Sequence, residues 1–74
     1  MGRTTKDVGY FLRVYRATNN LTQGEAAKRF GVSSSYWSLM ESGDRHPSKR
    51  LAPRLAKETG APLLLLLGVE APKR

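Results

Sequence analysis

The 74-residue sequence has no cysteine, one histidine and only six acidic side chains. Without cysteine there is no disulfide and no cysteine-ligated zinc to staple a small fold, so a hydrophobic core must hold the chain by itself. The lone His46 cannot build a metal cluster, and neither a metal nor an organic cofactor is expected. Long apolar runs are missing as well. The one continuous stretch, Leu63 to Leu67, falls far short of the roughly 18 to 20 residues of a membrane helix. Met1-Gly2-Arg3 leads directly into polar residues without the apolar segment of a secretory signal, so an intracellular, cytoplasmic protein with no membrane partner is expected. Paired carboxylates, a nucleophile-base set and a phosphate loop are also lacking, and no enzyme is expected.

What the sequence has is positive charge. Thirteen Lys and Arg give a formal net charge of +7 and a pI near 10.4, a balance that suits an anionic partner such as nucleic acid. The basic residues lean toward the N-terminal two-thirds. Composition is mixed throughout, without repeats or a low-complexity linker, so residues 1–74 are read as one domain, with a core over about 6–68 and frayed ends at 1–5 and 69–74.

The pattern along the chain is helical. Val8, Phe11, Leu12 and Tyr15 fall at i, i+3, i+4 and i+7, the stripe of an amphipathic helix running to about Thr18 and stopped by Asn19-Asn20. Thr22 with Glu25 three positions later forms a capping box for a second helix through about Phe30, with Ala26, Ala27 and Phe30 inward. Gly31 supplies a tight turn that needs positive φ, Val32 an apolar plug, and Ser33 the cap of a third helix from Ser34 to about Ser42. Trp37 and Met40 form the buried face of that helix, and Gly43 ends it. Asp44 to Arg50 is a basic loop. Pro53 fits a first helical turn, which starts a fourth helix near Leu51 or Ala52 with Leu55, Ala56 and Thr59 inward, and Gly60 closes it. Pro62 opens a short fifth helix over Leu63 to Leu67. The expectation is an all-α bundle of about five short helices.

The second and third helices, joined by one glycine-centred turn, have the spacing of a helix-turn-helix. Counting from Gln23, small Ala27 is fifth, where two helices cross closely, and Gly31 is ninth, in the turn. Ala26, Phe30, Val32, Trp37 and Met40 take the inward positions. With Leu12 to Arg16, Leu21-Thr22-Gln23, Gly31-Val32-Ser33, Tyr36, Met40 to Gly43 and Pro47-Ser48, the chain resembles the Cro/phage-repressor (XRE-type) helix-turn-helix family over about residues 8–67. Trp37 in place of a smaller aliphatic, Lys49-Arg50 with Pro53 ahead of helix four, and the uniform leucine run depart from that pattern. The resemblance implies a lambda-repressor-like domain, a recognition helix from Ser34 to Ser42 in the major groove of double-stranded DNA, and a homodimer on a palindromic operator, most simply a repressor.

In the register of that family, Ser34, Ser35 and Leu39 meet base edges with Tyr36 and Ser38 beside them; short hydroxyls hydrogen-bond several bases, and leucine packs on a thymine methyl. A plain capping segment is the ordinary alternative for a serine run. Thr22, Gln23, Ser33, Ser42, Arg45, Lys49 and Arg50 form a phosphate track, each alone no more telling than a solvated surface residue but persuasive together. Arg16 and Glu41 are expected to pair as structure rather than chemistry, and Trp37 to belong to the core rather than to stack on a base. Leu63, Leu64, Leu65 and Leu67 are expected at a dimer interface. A monomer core accepts only one stripe of the run, such as Leu63, Leu66 and Leu67, which leaves Leu64 and Leu65 exposed. The rival function is a protein-binding module of the same fold, an antitoxin or adaptor whose leucine-rich end grips a toxin or other regulator. RNA binding is a third option, but exposed aromatic stacking platforms are not evident.

Overall fold

A computed structural model of the protein describes residues 8–68. They form five helices in the order α1 (Val8–Asn19), α2 (Gln23–Arg29), α3 (Ser34–Ser42), α4 (Ala52–Thr59) and α5 (Leu63–Leu66), with no strand among the described residues. The ends expected to fray, 1–5 and 69–74, lie outside the described residues.

Local chemistry sets the boundaries. Asn20 takes the left-handed conformation at φ 57° and stops α1. The capping box of α2 closes in both directions: the Thr22 hydroxyl accepts from the Glu25 N–H at 3.1 Å, and the Thr22 N–H donates to the Glu25 carboxylate at 2.8 Å. Between α2 and α3 the chain turns at Gly31 with φ 70°, a conformation that costs a residue with a side chain about 1 to 2 kcal/mol. The Ser33 hydroxyl then accepts from the Tyr36 N–H at 3.0 Å and starts α3. Pro53 sits in the first turn of α4, where its missing N–H leaves no hydrogen bond unmade.

The helices pack around an aromatic centre. Phe30 stacks on Trp37 at a centroid distance of 5.7 Å, and Tyr15 stands edge-on to Phe30 at 5.6 Å, so α1, α3 and the C-cap of α2 each give one ring. Leu12, Ala26, Met40, Leu55 and Leu66 complete the core, all fully buried. Trp37, also fully buried, is a core residue and is withdrawn from any base. Arg54 lies 4.9 Å from the Phe30 centroid and donates to the Arg29 carbonyl at 2.6 Å, which ties α4 to the end of α2.

Two close approaches position α3. Gly9 of α1 is buried against the Glu41 carbonyl, where a Cβ would overlap backbone, and Arg13 donates to that carbonyl at 2.9 Å. The leucine run settles differently from the expected stripe. Leu66 is buried, Leu65 and Leu67 are half-buried, and Leu63 and Leu64 are 41% and 61% exposed. Leu63 therefore points outward and Leu65 partly inward, because α5 is a single turn and offers only one fully inward position.

Candidate nucleic-acid interface

The site is organised by one buried carboxylate. Glu41 of α3 accepts from Arg16 Nε at 2.5 Å and Nη2 at 3.1 Å, from Gln23 Nε2 at 3.0 Å and from Trp37 Nε1 at 2.5 Å. Arg16 also donates to the Leu21 carbonyl at 3.2 Å. Burial alone would raise the Glu41 pKa, but the hydrogen bonds from Arg16, Gln23 and Trp37 outweigh it and hold the carboxyl below its ordinary value. The hydrogen bond to Glu41 in turn raises the Arg16 guanidinium. The expected Arg16–Glu41 pair is present, and it clamps α1, α2 and α3 in one arrangement, so the angle between α2 and α3 is fixed by a charged, fully partnered network.

This clamp presents the opposite face of α3 to solvent. Ser34, Ser35, Ser38 and Leu39 lie on it, all exposed, and the three serine hydroxyls make no hydrogen bond among the described residues. Tyr36, expected to flank the bases, also braces the loop. It is half-buried, and its hydroxyl donates to the His46 carbonyl at 3.2 Å and accepts from the Ser48 N–H at 3.1 Å. The ring is a strut that holds the basic loop beside α3. Pro47, buried between those two residues, has no N–H of its own to tether the loop.

The phosphate candidates divide into two groups. Arg45, Lys49 and Arg50 are exposed and without a hydrogen bond or ion pair among the described residues. Arg45 borders a cleft with Ser42 and Gly43 at the end of α3, while Arg50 borders another with Gly31 and Val32 at the turn, so positive charge flanks α3 at both ends. The rest are engaged inside the fold. Thr22 and Ser33 are caps, one amide proton of Gln23 is committed to Glu41, and the Ser42 hydroxyl faces the Leu39 carbonyl at 3.0 Å and the Asp44 carboxylate at 2.8 Å. The neighbouring Asp44 carboxylate disfavours an anion at Ser42. One residue the sequence reading missed is Lys28, exposed on α2 beside a cleft shared with Thr22 and Ser34. Helical register places it one turn from Glu25 on the α2 face next to the start of α3, a signal that a search for a basic loop passes over.

The sequence matches a family model described as a helix-turn-helix domain over residues 7–66, a span that takes in all five helices. The chain belongs to the helix-turn-helix domain family. This agrees with the resemblance to Cro and phage repressors, and with the all-α architecture. The helix-turn-helix chain is also 45% identical over 49 residues to a protein of Methanocaldococcus jannaschii named an uncharacterised HTH-type transcriptional regulator; the match covers 66% of this chain and 74% of that protein. No solved structure matches this helix-turn-helix chain. Among the described residues no helix is long and apolar enough to cross a membrane.

Proposed function

We propose that this protein is a sequence-specific double-stranded DNA-binding transcriptional regulator that acts as a repressor. The observation that carries this reading is the outward face of α3, where three free serine hydroxyls and Leu39 stand between Arg45 at one end and Arg50 at the other. A helix fits the major groove with its side chains on base edges, while flanking cations neutralise phosphate. The +7 net charge and the name of the relative point the same way. Binding at a promoter would exclude other proteins by occupying the groove.

Titration of duplex DNA at several salt concentrations tests the phosphate track. Arg45→Ala with Lys49→Ala is expected to flatten the slope of log K against log salt by about 1.8, at about 0.9 per lost phosphate contact. An unchanged slope removes the loop from the interface, and a wild-type protein with no affinity for duplex overturns the reading.

The operator is proposed to be palindromic and the protein a homodimer, with two recognition helices about 34 Å apart in successive major-groove turns. Exposed Leu63 and Leu64 support this, since an apolar patch repeated by a two-fold axis covers itself. Each leucine offers up to about 1.5 to 3 kcal/mol of burial. In sedimentation equilibrium the wild type is expected to dimerise and Leu63→Glu/Leu64→Glu to remain monomeric; a folded wild type that is monomeric at high micromolar concentration contradicts the dimer. The same exposed leucines favour a second reading, in which the patch grips a toxin or another regulator. A toxin-sized reading frame beside the gene would support that rival.

A further inference from the structure

We propose that the α3 face reads 5-methylpyrimidines: Leu39 closes on the C5-methyl group of thymine and accepts 5-methylcytosine in its place. The proposal rests on the duplex-DNA reading above and deepens it. The helix sequence SSYWSLMES contains no Arg, Lys, Asn or Gln, so α3 carries none of the side chains that grip guanine or adenine with two parallel hydrogen bonds. Most of its polar groups are already committed. Glu41 is buried in the clamp, the Tyr36 hydroxyl holds the loop, and the Ser42 hydroxyl faces Leu39 and Asp44.

Ser34, Ser35 and Ser38 remain free, but a hydroxyl both donates and accepts. It turns to suit the O4 carbonyl of thymine or the exocyclic amine of cytosine, and so it does not tell these two pyrimidines apart. Leu39 is the exception on this face. It is 38% exposed although apolar, one helical turn beyond Ser35 and next to Ser38. Among the groups that base pairs present in the major groove, the methyl on C5 of thymine is the apolar one. Cytosine methylated at C5 carries the same methyl on the same ring carbon. Its neighbouring group changes from acceptor to donor, a change that a serine hydroxyl follows by rotating its proton.

The test uses the full chain and a duplex selected by it from a random library. The duplex is prepared in three forms: with thymine, with uracil in place of each thymine in turn, and with 5-methylcytosine opposite guanine at the positions that uracil shows to be sensitive. Wild type is expected to lose about fourfold in affinity per contacted methyl in the uracil form, the worth of burying one methylene-sized group, and to bind the 5-methylcytosine form nearly as well as the thymine form. Leu39→Ala is expected to bind the thymine and uracil forms alike, while Leu39→Met keeps the preference; both stay folded by circular dichroism because position 39 is outside the core. Equal wild-type affinity for the thymine and uracil forms overturns the proposal, and so does a uracil penalty as large in Leu39→Ala as in wild type. Failure to select any duplex overturns the DNA reading itself, a different outcome from a selected duplex indifferent to its methyl groups.

Discussion

Glu41→Ala is expected to cost about 3 to 5 kcal/mol of folding stability, the range for removing one partner of a buried ion pair. The substitution strands three groups together. The Trp37 indole N–H loses its acceptor inside the core, Arg16 keeps a charge on a side chain only 25% exposed, and Gln23 loses its anchor. A domain of this size is stabilised by roughly 0.05 to 0.15 kcal/mol per residue, so the loss is a large part of the total. Urea denaturation at pH 7 measures it; a change below about 1 kcal/mol would show that the clamp does not hold the three helices. The same carboxyl sets a pH dependence. Its pKa is depressed in the folded state, so its contribution is complete above the ordinary carboxylate value of about 4.3 and fades as pH falls from there through the folded-state value. Glu41→Gln, which has no charge to lose at this position, is expected to be less stable than wild type at pH 7 and to close much of that gap at pH 3.

The clamp shows which features of this protein were legible in its sequence. Caps and stops act within a few residues: Thr22 with Glu25, Ser33 with the Tyr36 N–H, Asn20 and Gly31 behave as their positions predict. Apolar spacing likewise placed Leu12, Tyr15, Ala26, Phe30, Trp37 and Met40 inside. The Arg16–Glu41 pair came from family resemblance, since nothing local links residues 25 positions apart. The commitments of Gln23 to Glu41 and of Tyr36 to the loop were hidden for the same reason, as both join elements through long-range geometry. The ring of Trp37 is legible as core, whereas the bond of its indole N–H to Glu41, one turn along α3, is not. In the leucine run the pattern itself is mute: when every position is leucine, periodicity cannot say which one points inward, and only packing of α5 on α4 selects Leu66.

The largest expected effect on binding comes from Ser34→Ala/Ser35→Ala/Leu39→Ala. All three side chains are exposed, and the Ser33 cap is untouched, so stability is expected to change by less than about 0.5 kcal/mol. With about 1 kcal/mol lost per base contact, affinity for the preferred duplex is expected to fall roughly 100-fold. Affinity for an unrelated duplex should hardly move, because the proposed phosphate contacts Arg45, Lys49 and Arg50 are unchanged. Competition binding against the two duplexes reads both numbers at once. Equal losses on both duplexes would show that these residues add affinity without choice, and a variant that keeps both wild-type affinities would show that α3 does not face the groove.

The most direct measurement is selection of bound fragments from a random duplex library by the purified full chain, followed by sequencing. A homodimer carrying the α3 face into two major grooves predicts an enriched palindrome whose half-sites are centred one helical turn apart, about 34 Å along the duplex. A library that emerges without any enriched sequence, at a salt concentration where binding is retained, would contradict the assignment of α3 as a reader of bases.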